Sequence, residues 1–438
     1  MSREQAQPTV QLAQQVRRRR VFYIPGYDPI HPRRYRELYR TEAREQAEIS
    51  GYEIALSHKT TKGPYGWHVN SRIDGVEVDA DFSVLVWSDI VRKSMSTSTA
   101  ATYSRLVRTA WVYISSGALW RMMRLRKGPV IAALYPVGML LLQLFLAVLL
   151  AWSVAWSVGL LASALPWERM SLLERVVGPV MVPVLGPLVG WVLGWALGTW
   201  VGVMLLRWFK RLDRKFYAYY LMHDYAYSAR YRGANPPELE ARLTEFAGRI
   251  EEALHQNFDE VLVIGHSSGA HLGVSVLSDL IRAGRVPAVG PALGFLTLGQ
   301  VVPMVSFLPG AQRLRADLRY LSARDELTWV DVSAPGDGCA FALCDPVAVS
   351  GVAPEDKRGP LVVSAAFTQT LSPERWAALR WRFFRLHFQY LCAFDRPGDY
   401  DYFQITAGPQ TLGDRYAGRE PSKSRIETPL LKYRSAGA

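Results

Sequence analysis

Residues 261–271 read Val261-Leu-Val-Ile-Gly265-His266-Ser267-Ser268-Gly269-Ala270-His271. Four apolar residues in a row, following Asp259-Glu260, predict a strand buried on both faces of a parallel sheet. The small and apolar residues that follow suit a helix. A strand that passes into a helix through G-x-S-x-G must turn sharply. Gly265 and Gly269 lack a Cβ, so backbone segments can pass close together at the bend. Such a bend exposes the Ser267 hydroxyl and aims the amino end of the helix at a developing oxyanion.

Strand-like and helix-like stretches alternate on either side of this segment. Residues 21–24, 52–56, 293–298 and 328–332 are short, apolar and rich in β-branched or aromatic side chains, as strands are. Residues 67–73 and 76–87 predict a hairpin turning at Asp74-Gly75. Helices are expected over residues 32–50, 100–125, 208–232, 237–256, 311–323 and 373–392. Alternation of this kind predicts the α/β class, with a mostly parallel sheet covered by helices on both faces.

Two apolar runs interrupt that pattern. No charged residue occurs in 128–167 or in 176–206. A bilayer crossing takes about 20 apolar residues, so each run predicts one span, near 137–164 and 182–206. Together they form a transmembrane helical hairpin over 128–206. Pro136, Pro179, Pro183 and Pro187 fray or kink the span starts. The second span carries glycine at every fourth position: Gly186, Gly190, Gly194, Gly198 and Gly202. A side-chain-free strip admits a second helix closely, either the first span or the same strip of another copy in a homo-oligomer.

Arg121, Arg124, Arg126 and Lys127 precede the first span, and Arg207, Lys210, Arg211, Arg214 and Lys215 follow the second. The loop between them holds Glu168, Arg169, Glu174 and Arg175, which cancel. The positive-inside rule then predicts cytoplasmic flanks on both sides, in an integral membrane protein of a bacterial inner membrane. The domain plan is a disordered segment 1–17, a first catalytic half 18–127, the hairpin, a second half 207–407 and a polar, loosely held tail 408–438.

The formal net charge is +12. Nucleic acid is discounted as a partner, because the basic residues flank apolar segments and form no base-reading motif. Cys339, Cys344 and Cys392 match no zinc spacing and suggest no disulfide framework. No metal or cofactor is expected. Residues 17–20 are basic, but the apolar stretch behind them is too short for a secretion signal.

The segment around Ser267 resembles the nucleophile elbow of the α/β-hydrolases, especially lipases and esterases, with the hairpin as an insertion. The resemblance implies a serine, acid, histidine order along the chain. It implies His387 as the base, in Phe384-Arg-Leu-His387-Phe-Gln-Tyr390, which is similar to the late H-x-x-Y stretch of several lipase-like enzymes. His31, His58, His68, His223 and His255 precede the serine, and His266 and His271 belong to the elbow itself. The acid is expected at Asp337, in a loop after strand 328–332, with Asp345 of Asp345-Pro346-Val347 as the rival. The oxyanion hole is expected from the amides of Ser268 and of Tyr27, in Pro25-Gly26-Tyr27 after the first strand.

The expected activity is hydrolysis of a lipid or other amphipathic ester or thioester through an acyl-enzyme. The alternative is a catalytically inactive hydrolase-like scaffold or binding protein held in the bilayer.

Overall fold

The computed structural model describes residues 15–59, 63–95, 98–165, 182–431 and 433. The chain divides into two compact units. One comprises residues 1–94, 111–132 and 227–438, and the other residues 95–110 and 133–226.

The first unit is built on a mixed, mostly parallel sheet. Its strands are β1 (Arg18–Ile24), β2 (Glu53–His58), β3 (Gly66–Ile73), β4 (Val76–Val84), β5 (Glu260–His266), β6 (Ala292–Leu298), β7 (Thr328–Ser333) and β8 (Leu361–Ser364). They lie in the order β2-β3-β4-β1-β5-β6-β7-β8. β1 runs parallel to both β4 and β5, and β5 to β8 continue in parallel. β3 and β4 form the expected antiparallel hairpin, whose turn residues Asp74 and Gly75 both have positive φ (53° and 77°).

Helices cover both faces, as the period-two alternation of side chains requires. Val21, Tyr23, Leu262 and Ile264 join a core with Tyr35 and Tyr39 of the helix Arg33–Ser50 and with Phe403 of Tyr402–Ala407. Phe295 and Ile24 point the other way, against Gly273 of the helix Gly269–Arg282. The α/β class and the mostly parallel sheet are therefore as expected.

Several boundaries differ from the sequence reading. β8 was not anticipated. It is four residues long and gains its place by pairing with β7. The expected helix 373–392 is instead Pro373–Leu379, Phe383–His387 and a 3₁₀ turn Gln389–Leu391. The expected helix 100–125 breaks at Gly117 (φ 72°), and 208–232 breaks at Tyr217 (φ 55°).

Arg18, Arg19 and Arg20 of the basic run belong to β1. Arg19 is fully buried, its Nε 2.5 Å from the buried carboxylate of Glu260 on β5 and its Nη1 donating to the Gly408 carbonyl at 2.7 Å. Glu260 also accepts from the Leu412 amide at 2.6 Å. Residues 408–412, at the start of the expected tail, are thus packed against β1 and β5, and Ile426 forms a bridge with Cys344. Residues 1–14 of the expected disordered segment, and the loop residues Glu168, Arg169, Glu174 and Arg175, lie outside the described residues.

The second unit contains most of two helices long and apolar enough to cross a membrane, Lys127–Ala164 and the Leu185–Arg211 part of Val182–Arg211. They run antiparallel along the glycine strip. Gly190 packs on Ala162, Gly194 on Ala155 and Val158, Gly198 on Ala151, and Gly202 on Ala147. At Gly194 an added Cβ would lie 2.7 Å from the Ala155 carbonyl oxygen. Gly190, Gly194, Gly198 and Gly202 of the strip thus face the first helix of the same chain.

Candidate active site

β1 and β5 are neighbours, and their following loops leave the same edge of the sheet. In open α/β sheets this is where order reverses and a crevice forms beyond the carboxyl ends of the strands. Pro25-Gly26-Tyr27 follows β1 and Ser267 follows β5. The register Ile24↔Gly265 brings the two loops together.

Ser267 stands between β5 and the helix Gly269–Arg282 with φ of 57°. Left-handed backbone is costly for a residue with a Cβ and persists only where its surroundings impose it. Here the Ser267 amide donates to the Leu298 carbonyl at 2.9 Å, and its own carbonyl accepts from the Ala270 amide at 3.1 Å. The glycines permit the rest. A Cβ on Gly265 would lie 2.7 Å from the Ala270 Cα, and one on Gly269 would collide with the Ile24 carbonyl.

The β1 loop closes over the serine. A Cβ on Gly26 would lie 3.0 Å from the Ser267 Cβ and 3.3 Å from its Oγ. Tyr27 and Ser268 are both buried beside it. The Tyr27 hydroxyl is 2.5 Å from Ser94 Oγ, and its ring packs edge-on against Trp87. Those contacts fix the loop.

The structure brings His387 and Asp337 together, with His387 Nδ1 2.7 Å from Asp337 Oδ2. They are 7% and 2% exposed. Asp337 also accepts from the Tyr390 hydroxyl at 3.0 Å and from the Cys339 amide at 2.8 Å. Burial by itself would raise the Asp337 carboxyl, but the His387 imidazole and these donors hold it below the usual range.

The pair lies at the end of β6, where Ser267 is anchored. A Cβ on Gly299 would be 3.2 Å from His387 Cε1, one residue beyond the carbonyl that accepts from Ser267. Ser267 is partly exposed. Among the described residues its hydroxyl forms no hydrogen bond, so the serine–imidazole contact is not closed here. Such contacts are often long before substrate binds.

Asp345 is placed elsewhere. Its carboxylate caps the short helix Pro346–Val349, accepting from the amides of Val347 and Ala348, and lies 2.5 Å from Lys357 Nζ. Asp331 is buried within β7 and accepts from Thr297 Oγ1 at 2.6 Å. Of Asp331, Asp337 and Asp345, Asp337 is the one bonded to His387.

Two neighbours carry more weight than the sequence suggested. Tyr390 links Asp337 to the Ala334 amide; the H-x-x-Y spacing was the available signal. His266 Nε2 donates to the His387 carbonyl at 3.0 Å, and its Nδ1 accepts from the Tyr23 hydroxyl at 3.1 Å. Burial, and then the proximity of His387, push its imidazole down to about 3, so it is neutral at pH 7.

Asp337, Cys339 and His387 also bring three ligand-type atoms within 4.8 Å of one another. A metal there would have to displace the proton shared by His387 and Asp337. No protein-family model, no curated protein and no solved structure matches this chain.

Proposed function

We propose that this chain is a membrane-anchored serine hydrolase of the α/β-hydrolase type that cleaves an acyl ester or thioester. The observation that carries the reading is Ser267 held at φ of 57° on a strand-to-helix bend, with a His387–Asp337 pair at the neighbouring strand end.

In this reading Ser267 Oγ adds to the acyl carbon while His387 Nε2 takes its proton. Asp337 fixes the tautomer through Nδ1 and stabilises the imidazolium. The amides of Tyr27 and Ser268 hold the oxyanion. His387 then gives the proton to the departing alcohol or thiol. Water, deprotonated by the same imidazole, adds to the acyl-enzyme and releases the carboxylic acid and free serine.

The bilayer-length helices favour an amphipathic or lipid substrate. The basic residues flanking them favour cytoplasmic placement of both soluble flanks. The test is hydrolysis of esters of graded chain length by the full chain in detergent. Turnover by the parent and none by Ser267→Ala supports the reading.

A second reading, a non-catalytic binding protein, draws support from the open Ser267 hydroxyl. It predicts equal, negligible turnover for both proteins while each remains folded.

A further inference from the structure

Residues 380–385, Arg380-Trp381-Arg382-Phe383-Phe384-Arg385, form an unusual surface just ahead of His387. Trp381 is 73% exposed and Phe383 47%. Arg380, Arg382 and Arg385 are exposed between and beside them. The Arg380 guanidinium lies 5.7 Å from the centre of the Trp381 ring. No acidic residue occurs between Glu374 and Asp395. Water is a poor partner for the two rings, and no acidic side chain of this stretch offsets the three cations.

The position of the patch identifies a better partner. Phe383 packs on Gly338, its Cδ1 3.2 Å from where a Cβ would stand. The Cα of Gly338 is in turn 3.4 Å from the Cβ position of Gly128, at the start of the bilayer-length helix Lys127–Ala164. Arg126 Nε donates to the Ala342 carbonyl at 2.9 Å in the same loop. The patch therefore adjoins the point where the chain passes into its apolar helix. Aromatic rings with arginines between them suit the headgroup layer, where rings rest among glycerol and acyl groups and guanidinium groups meet phosphate.

We infer that residues 380–385 dock on an anionic phospholipid surface and set the loop carrying Asp337 at headgroup level. The inference rests on the membrane placement proposed above and not on the chemistry of Ser267.

Hydrogen exchange on the full chain tests it, in nanodiscs of phosphatidylcholine alone or with phosphatidylglycerol added. Amides of residues 380–387 should exchange more slowly in the anionic discs, by about fivefold for each arginine engaged. High salt should shrink the difference. The double variant Arg382→Ala/Arg385→Ala should lose most of it, and Ser267→Ala should keep it. Equal exchange of the parent in both disc types would overturn the inference, whatever the enzyme assays show.

Discussion

His387 Nδ1 lies 2.7 Å from Asp337 Oδ2, the one at the end of the short helix Phe383–His387 and the other in the loop after β7. The contact is buried and has three further supports: the Tyr390 hydroxyl, the Cys339 amide and the His266 bond to the His387 carbonyl. An imidazole so fixed presents its other nitrogen in one direction. That is what a general base beside a serine needs.

Asp337→Asn should leave the fold in place and lower kcat/KM roughly 1,000- to 10,000-fold, because the wrong imidazole tautomer is then favoured. Asp345→Asn should do the reverse. An amide keeps the helix cap but gives up the charge contact with Lys357, costing up to about 1 kcal/mol of stability while leaving kcat/KM near the parent value. Steady-state kinetics together with thermal unfolding in detergent separates the two. Equal loss of activity in both variants would remove Asp337 from its role.

Asp331 supplies a test in pH. Burial raises its carboxyl from 3.8 to about 7, the charge of Asp345 adds to this, and the Thr297 hydrogen bond opposes it. The folded-state value lies above the unfolded one. The stability this group contributes is thus complete below about 4 and is lost as pH rises through about 7. Asp331→Asn keeps the Thr297 bond and does not ionise. Its Tm should exceed the parent's by a margin that widens from about pH 4 to about pH 7 and then levels. A margin that does not change with pH would contradict the assignment.

The glycine strip predicts an asymmetry within the apolar helices. Gly198 sits against the Ala151 carbonyl, whereas a Cβ on Gly138 meets nothing within 4 Å. Gly198→Leu should destabilise the helix pair by about 1–3 kcal/mol through overpacking, and Gly138→Leu should have little effect. Thermal unfolding in detergent reads both. Similar Tm values for the two variants would show that the strip does not set the packing.

The elbow was legible because its signals are local. An apolar run, two glycines and a small-residue helix start lie within 11 contiguous residues. The hairpin at Asp74-Gly75 and the bilayer-length helices were legible for the same reason. Arg19 was not. It looks like part of a solvated basic run, and only its pairing with Glu260 on β5 buries it. The break near Arg382 was equally hidden, since it serves the packing of Phe383 on Gly338, far away in sequence. The preference for Asp337 over Asp345 followed from its loop after a strand. The capping role of Asp345 needed the amides of Val347 and Ala348 to be placed.

Everything proposed for the site depends on Ser267 acting as a nucleophile. Treating the full chain in detergent with a fluorophosphonate and mapping the adduct by peptide mass spectrometry tests it most directly. A single adduct is expected on Ser267, absent from Ser267→Ala and much slower to form in His387→Ala. An unlabelled serine at 267 in folded protein, or an adduct that persists in Ser267→Ala, would contradict it.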